Sequence, residues 1–150
     1  QDELEFVRTY IDLESKTLQP DFVYTFDIDS GIDLANVQIP SMLVQIPVEN
    51  AIKHGLRGKS GRKRLNIKIV KTGECIVIVI QDNGGGFQSV ASVSAGTGTG
   101  MKVITRTLQL LNAYNRFPIE MKINNVEIEH EIGCEVYFKI PLDYSFNLKK

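Results

Sequence analysis

In the stretch Cys75-Ile76-Val77-Ile78-Val79-Ile80-Gln81-Asp82-Asn83-Gly84-Gly85-Gly86-Phe87, an unbroken apolar run ends on a carboxylate and three glycines. The run Cys75 to Ile80 lacks polar alternation, which predicts a central strand buried on both faces. Asp82 follows its end. A carboxylate so placed is costly to desolvate unless a hydrogen-bond donor meets it. It is therefore expected to fix a ligand's donor group. Three consecutive glycines exceed what an ordinary hairpin needs; they let the backbone turn sharply and come close to a flat ring.

Working outward, Leu65 to Val70 reads as a neighbouring strand, joined to Cys75–Ile80 by a turn at Thr72-Gly73. Phe22, Tyr24, Phe26 and Ile28 alternate with polar residues, the period of a half-buried strand. Leu4, Val7, Ile11, Leu13 and Leu18 form a helical apolar stripe over residues 3 to 18, ended by Pro20. A second helix is expected from about Pro40 to Leu56. Pro47 inside it must either bend the helix or mark a restart, and Gly55 and Gly58 would terminate it. A third helix spans residues 100 to 114, with Val103, Ile104, Leu108 and Leu111 as its apolar side. Glu120–Ile128 and Glu135–Ile140 read as a hairpin turning at Ile132-Gly133, with a frayed tail after Pro141. The order of elements predicts an α+β fold, a two-layer sandwich with helices on one face of a mixed, mostly antiparallel sheet.

Composition narrows the function classes. The 150 residues suit one domain, and 43% hydrophobic with 23% charged residues is an ordinary globular mix. Seventeen Lys and Arg against 18 Asp and Glu give a net charge of −1, which argues against a nucleic-acid binder. Cys75 and Cys134 form no C-x-x-C pair, so a zinc or dithiol motif is unsupported and two buried thiols are expected. No run approaches the roughly 18 apolar residues of a membrane span. Opening on Gln1 with the first methionine at Met42, the sequence is expected to be part of a longer protein. Residues 53 to 71 hold eight of the 17 basic residues and no acid, a pattern read here as a solvated loop and strand edge, with a patch that attracts phosphate or a partner as the alternative.

Two further motifs carry chemistry. In Glu49-Asn50-Ala51-Ile52-Lys53-His54-Gly55, helical spacing puts Asn50, Lys53 and His54 on one face. A neutral amide oxygen suits Mg²⁺, which keeps most of its waters and takes one or two protein oxygens. Glu49 is turned about 100° away. Gly96-Thr97-Gly98-Thr99-Gly100 leads straight into a helix, where unpaired N–H groups and the positive dipole end form an anion cradle. No Gly-Lys-Ser/Thr follows, so it is not a Walker A loop. Six of the 12 glycines fall between Gly84 and Gly100, and residues 88 to 99 are nearly all small or polar, as expected of a loop.

Taken in order, these segments resemble the boxes of bacterial sensor histidine kinases of the LytS-like class. Leu43 to Gly55 is similar to the N box, Asp82 to Phe87 to the G1 box, and Gly96 to Met101 to the G2 box, with Met101 where leucine is usual. The opening Glu3 to Glu14 resembles the linker helix that enters this domain. The resemblance implies a linker helix over 1–18 and a histidine kinase-like ATPase domain of the Bergerat fold over 19–150. It implies ATP and Mg²⁺ as cofactors, with Asn50 holding the metal and Glu49, Asn50 and Lys53 catalytic. Lys53, His54 and Arg106 would lie near the phosphates, Asp82 would accept from the adenine amino group, and Gly84, Gly86 and Phe87 would shape the base pocket. Gly98, Thr99, Gly100 and Met101 would hold the lid, roughly residues 88 to 99, near the phosphates.

The pattern departs in places. Related hydrolases carry a carboxylate four residues before the magnesium asparagine, where this chain has Ile46. Gly133 is followed by Cys134 where the family often has Gly-Thr with the threonine near adenine. The acceptor histidine is missing; His130, in a hairpin, is read as a surface residue. The implied function is γ-phosphoryl transfer from Mg-ATP to a histidine outside this chain, with an ATP-sensing module or an ATP hydrolase as the alternatives. The implied partners are the histidine-bearing dimerisation segment of the same protein and a response regulator, in a homodimeric bacterial sensor of the inner membrane with this part in the cytoplasm.

Overall fold

The structure, a computed structural model, describes residues 2–33, 39, 42–86 and 98–145. The elements follow in chain order as α1 (Asp2–Leu18), β1 (Phe22–Ile28), α2 (Gln45–Asn50) running into a π-helical turn (Ala51–Leu56), β2 (Lys63–Thr72), β3 (Cys75–Asp82), α3 (Gly98–Asn112), β4 (Glu120–Ile128) and β5 (Glu131–Pro141). One five-stranded sheet has the order β1-β2-β3-β5-β4. Only β1 and β2 pair in parallel, and the crossover between them carries α2; the other pairs are antiparallel.

Register explains the core. Ile69, Ile78 and Phe138 lie in one row across β2, β3 and β5, and Ile67, Ile80 and Val136 in the next. All six are buried, and they meet Val7 and Ile11 of α1, Val48 and Ile52 of the α2 unit and Ile104 and Leu108 of α3 in one cluster. Burying side chains of this size contributes about 1.5–3 kcal/mol each. The following row reads Tyr24, Leu65, Asp82, Cys134 and Asn125. There the core-facing surface turns polar, at one end of the sheet.

Several expectations are corrected. β3 is fully buried on one face only: Ile76, Ile78 and Ile80 are buried while Cys75, Val77 and Val79 are half-buried. Val79 pairs with Tyr137, itself paired with Lys122, whose ammonium lies 5.7 Å from the Tyr137 ring. Long neighbouring side chains thus shelter an outer face that the sequence presents as apolar. The hairpin turns at Glu129-His130, both at positive φ, and Gly133 lies inside β5. α2 begins at Gln45, so Pro47 falls in its first turn, where a missing N–H leaves no bond unmade. Leu13 and Val103, placed on apolar stripes, are 61% and 47% exposed. Cys75 and Cys134 are free and half-buried rather than buried. The chain after Pro141 is anchored as far as Ser145: the Tyr144 hydroxyl donates to Asn112 Oδ1 at 2.6 Å and Ser145 N–H to Asn115 Oδ1 at 2.8 Å.

Candidate functional site

Asp82 closes β3 with its side chain on the helix-facing side, 6% exposed. Its Oδ1 accepts the Gly84 N–H at 2.8 Å. Burial pushes the carboxyl up to about 6, against the opposing pull of that N–H. The following loop is held by a residue that sequence reasoning missed. Asn83, 1% exposed, accepts Arg64 N–H at 2.8 Å and donates to Arg62 carbonyl at 2.9 Å, so it mimics one more sheet pair with β2. An Asn between a carboxylate and a glycine run was the available signal.

The three glycines serve different needs. Gly85 and Gly86 have positive φ, and Gly85 N–H donates to Ile132 carbonyl at 3.0 Å. Gly84 makes a close approach: a Cβ there would lie 2.3 Å from Gly55 carbonyl carbon. Gly55 therefore does not terminate the helix; it is the bare spot through which the π-helical turn meets the Asp82 loop. Gly133 is similarly constrained, since a Cβ would fall 1.9 Å from the Asp82 carbonyl oxygen. Beside it, Cys134 pairs with Asp82 across β3 and β5. Burial and the Asp82 and Glu135 carboxylates push its thiol up to about 12, so it stays protonated at neutral pH.

The helix that touches Asp82 through Gly55 carries Glu49, Asn50, Lys53 and His54. It passes from α to π geometry at Ala51, a change that sequence periodicity did not reveal and that recurs at functional sites. Lys53 and His54 are exposed; Glu49 and Asn50 are half-buried. Glu49 Oε1 accepts from Gln45 Nε2 at 3.4 Å on the same helix. The Asn50 Nδ2 is buried and has no hydrogen-bond partner among the described residues. Among the described residues there is no group of three His, Cys, Asp or Glu able to hold a metal. A cation here would have to bring most of its own oxygens; the unpaired Nδ2 is a donor and ligates no cation, so the Asn50 side chain could offer only its Oδ1, the kind of oxygen that suits a magnesium ion already bound to phosphates.

α3 starts at Gly98, so the backbone of Gly98, Thr99 and Gly100 forms its first turn. It packs against α2, with Met101 half-buried against the core and Arg106 exposed. Phe87, Gly96, Thr97 and the expected lid lie outside the described residues, apart from the backbone of Gly98 and Thr99. The basic segment is neutralised in part: Arg57 pairs with Glu14 at 2.9 Å, Lys59 with Glu131 at 2.6 Å and Arg64 with Glu129 at 2.9 Å. His130 stands on the hairpin tip, 97% exposed.

A carboxylate at a strand end, glycines packed on the helix opposite and a second helix entering from a glycine-rich segment define a nucleotide-binding α+β domain. Residues 38–144 match the family model described as histidine kinase-, DNA gyrase B-, and HSP90-like ATPase. The chain belongs to this ATPase family. It is 25% identical to the sensor protein LytS of Staphylococcus epidermidis over 98% of its own length and 26% of that protein's. It is 30% identical to the sensor histidine kinase YpdA of Escherichia coli over 93% of its length and 24% of that protein's. The chain thus spans about a quarter of the length of these relatives. The histidine kinase domain of the blue-light activated kinase EL346 from Erythrobacter litoralis superposes with a TM-score of 0.69 at 15% identity, covering 96% of this chain and 61% of that one. No helix among the described residues is long and apolar enough to cross a membrane.

Proposed function

We propose that this domain binds Mg-ATP and passes its γ-phosphoryl to a histidine carried elsewhere in the full protein. The observation that carries this reading is the buried Asp82 carboxylate beside the Gly55–Gly84 contact, on the helix that bears Asn50. Asp82 would accept from the adenine amino group, with Gly84, Gly86 and Phe87 shaping the base pocket. Asn50 would hold Mg²⁺, which supplies charge neutralisation of the phosphate oxygens when bound. Lys53, His54, Arg106 and the α3 N-terminus from Gly98 to Met101 would face the phosphates. Glu49 would orient the incoming histidine imidazole and take up its proton. The bond from γ-phosphorus to the bridging oxygen breaks, a phosphorus–nitrogen bond forms, and ADP leaves; positioning and electrostatics supply the catalysis.

Within this reading residues 1–18 are the linker helix and 19–150 the ATPase domain. The full protein is a membrane-anchored homodimer with this domain in the cytoplasm, and it hands its phosphoryl group to a response regulator. Calorimetric titration with ATP and GTP, each with and without magnesium, tests the site. Selective, magnesium-dependent ATP binding is expected; equal affinity for both nucleotides would remove Asp82 from the base pocket.

A further inference from the structure

The two residues that hold Asn83 through their backbone send their side chains to one carboxylate on a third element. Asn83 accepts the Arg64 N–H at 2.8 Å, donates to the Arg62 carbonyl at 2.9 Å, and its own N–H donates to the Arg64 carbonyl at 3.3 Å. Arg64 Nε meets the Glu129 carboxylate at 2.9 Å, and the Arg62 guanidinium approaches the same group at 3.7 Å. Glu129 stands at the tip of the β4–β5 hairpin. Glu131, across the turn, pairs at 2.6 Å with Lys59, which lies between the π-helical turn and β2. β3 separates β2 from β5 in the sheet, so the Arg64–Glu129 pair closes past the end of β3, where the glycine loop begins. On its other side that loop is bonded to β5, Gly85 N–H donating to Ile132 carbonyl at 3.0 Å. Asn83, Gly84 and Gly85 therefore belong to a ring of backbone bonds that is closed by charge alone.

The tip that closes the ring is built against local preference. Glu129 and His130 sit at φ 51° and 70°. A two-residue turn with both positions in this region favours Asn-Gly, because larger side chains are strained there. Such a turn persists where its surroundings hold it, and here Arg64 and Lys59 hold its two flanks. We infer that Glu129 and Glu131 are positioning residues for base recognition: paired with Arg64 and Lys59, they brace the Gly84–Gly86 wall so that a bound adenine keeps its amino group in line with Asp82. A base free to slide in its plane loses that directional bond. Guanine carries a carbonyl in place of the amino group and has no such bond to lose. The brace therefore sets the preference for ATP over GTP. This inference rests on the reading that Asp82 accepts from adenine.

The test reads the ratio of ATP to GTP affinity by calorimetry on this chain at fixed magnesium. Salt weakens the triphosphate contacts of both nucleotides alike, so the ratio isolates the base. In the parent the ratio should fall about threefold between about 0.05 M and about 0.5 M sodium chloride, as the ion pairs of the brace are screened. That series needs no variant, and a ratio that does not change with salt would overturn the inference. Glu129→Gln combined with Glu131→Gln should lower the ratio about fivefold at low salt and abolish its salt dependence. Lys59→Glu should lower it as well, and adding Glu131→Lys should restore most of the loss, because the exchanged charges pair again. Loss of packing alone would not be rescued by exchanging charges. A parent-like ratio in the double Gln variant, or no rescue by the exchange, would overturn the inference and leave the role of Asp82 intact. A parent that binds ATP and GTP equally would instead overturn the reading of Asp82 itself.

Discussion

Gly55 packs its Cα against the Asp82 carboxylate: a methyl on Gly55 would lie 2.8 Å from Oδ1 and 3.3 Å from Cγ. This contact joins the end of the central strand to the helix of Asn50. It fixes the spacing between the carboxylate proposed to read the base and the amide proposed to hold the metal. It also leaves one wall of the site as bare backbone, which a planar ring can approach closely.

Substitutions at the site glycines should separate fold from binding. Gly84→Ala and Gly133→Ala drive a methyl into backbone, at 2.3 Å and 1.9 Å, where nothing can move aside. Each should cost about 1–3 kcal/mol or more in urea melts, as overpacking does. Gly55→Ala meets a side chain instead, and Asp82 can rotate away. It should melt nearly like the parent and lose most ATP affinity by calorimetry.

The Asp82 carboxyl gives the domain a signed pH dependence. Its ordinary value of 3.8 rises to about 6 in the fold. Above pH 6 the fold carries a buried charge that the unfolded chain hydrates freely, a cost of about 3 kcal/mol at neutral pH. Without nucleotide, stability contributed by this group is present below pH 4 and lost as pH rises through 6. Melting curves should show that slope, and Asp82→Asn should remove this group's share of it and melt higher at pH 7. ATP reads the ionised acceptor, so protonation of this group should lower the parent's affinity as pH drops below 6, beyond the loss caused by protonation of the ATP terminal phosphate itself. Asp82→Asn should bind ATP weakly at every pH, with adenine selectivity gone.

Asn50→Ala removes a buried Nδ2 that has no partner among the described residues. Loss of an unsatisfied group costs little, so the melting midpoint should shift by less than about 1 kcal/mol equivalent. The magnesium dependence of ATP binding should disappear, measured by titration with and without EDTA. Magnesium dependence equal to the parent's would move the metal off Asn50.

The far end of the sheet offers a control. Asn112 Oδ1 accepts from Ile119 N–H at 2.9 Å and from the Tyr144 hydroxyl at 2.6 Å, while its Nδ2 donates to Ile119 carbonyl at 3.2 Å. Asn112→Ala leaves several polar groups unpaired and should cost about 2–3 kcal/mol. Tyr144→Phe removes the hydroxyl that donates to Asn112 and should cost about 1 kcal/mol. Neither should change ATP affinity below the melting range, because the register places this network opposite the Asp82 row.

Some features were legible because they are local. The polar–apolar periods of α1, β1 and α3 follow from which side chains face water, and they placed most elements within a few residues. Asp82 and the glycines after it stood out because few folds need that composition. The outer face of β3 was misread because shelter by Tyr137 and Lys122 comes from other strands. Gly133 was misread as a turn because its constraint, the Asp82 carbonyl, lies on a different strand. The docked tail was missed because Tyr144 finds its acceptor on α3, distant in the chain.

By itself, the sequence determined the order and kind of the elements and the three segments that carry the chemistry, since periodicity, glycine content and charge act between near neighbours. The tertiary structure alone decided the π-helical turn after Asn50, the contact of Gly55 with Asp82 and the pinning of the loop by Asn83. The last two are close contacts between residues far apart in the chain, and such packing is fixed only when the layers close on one another.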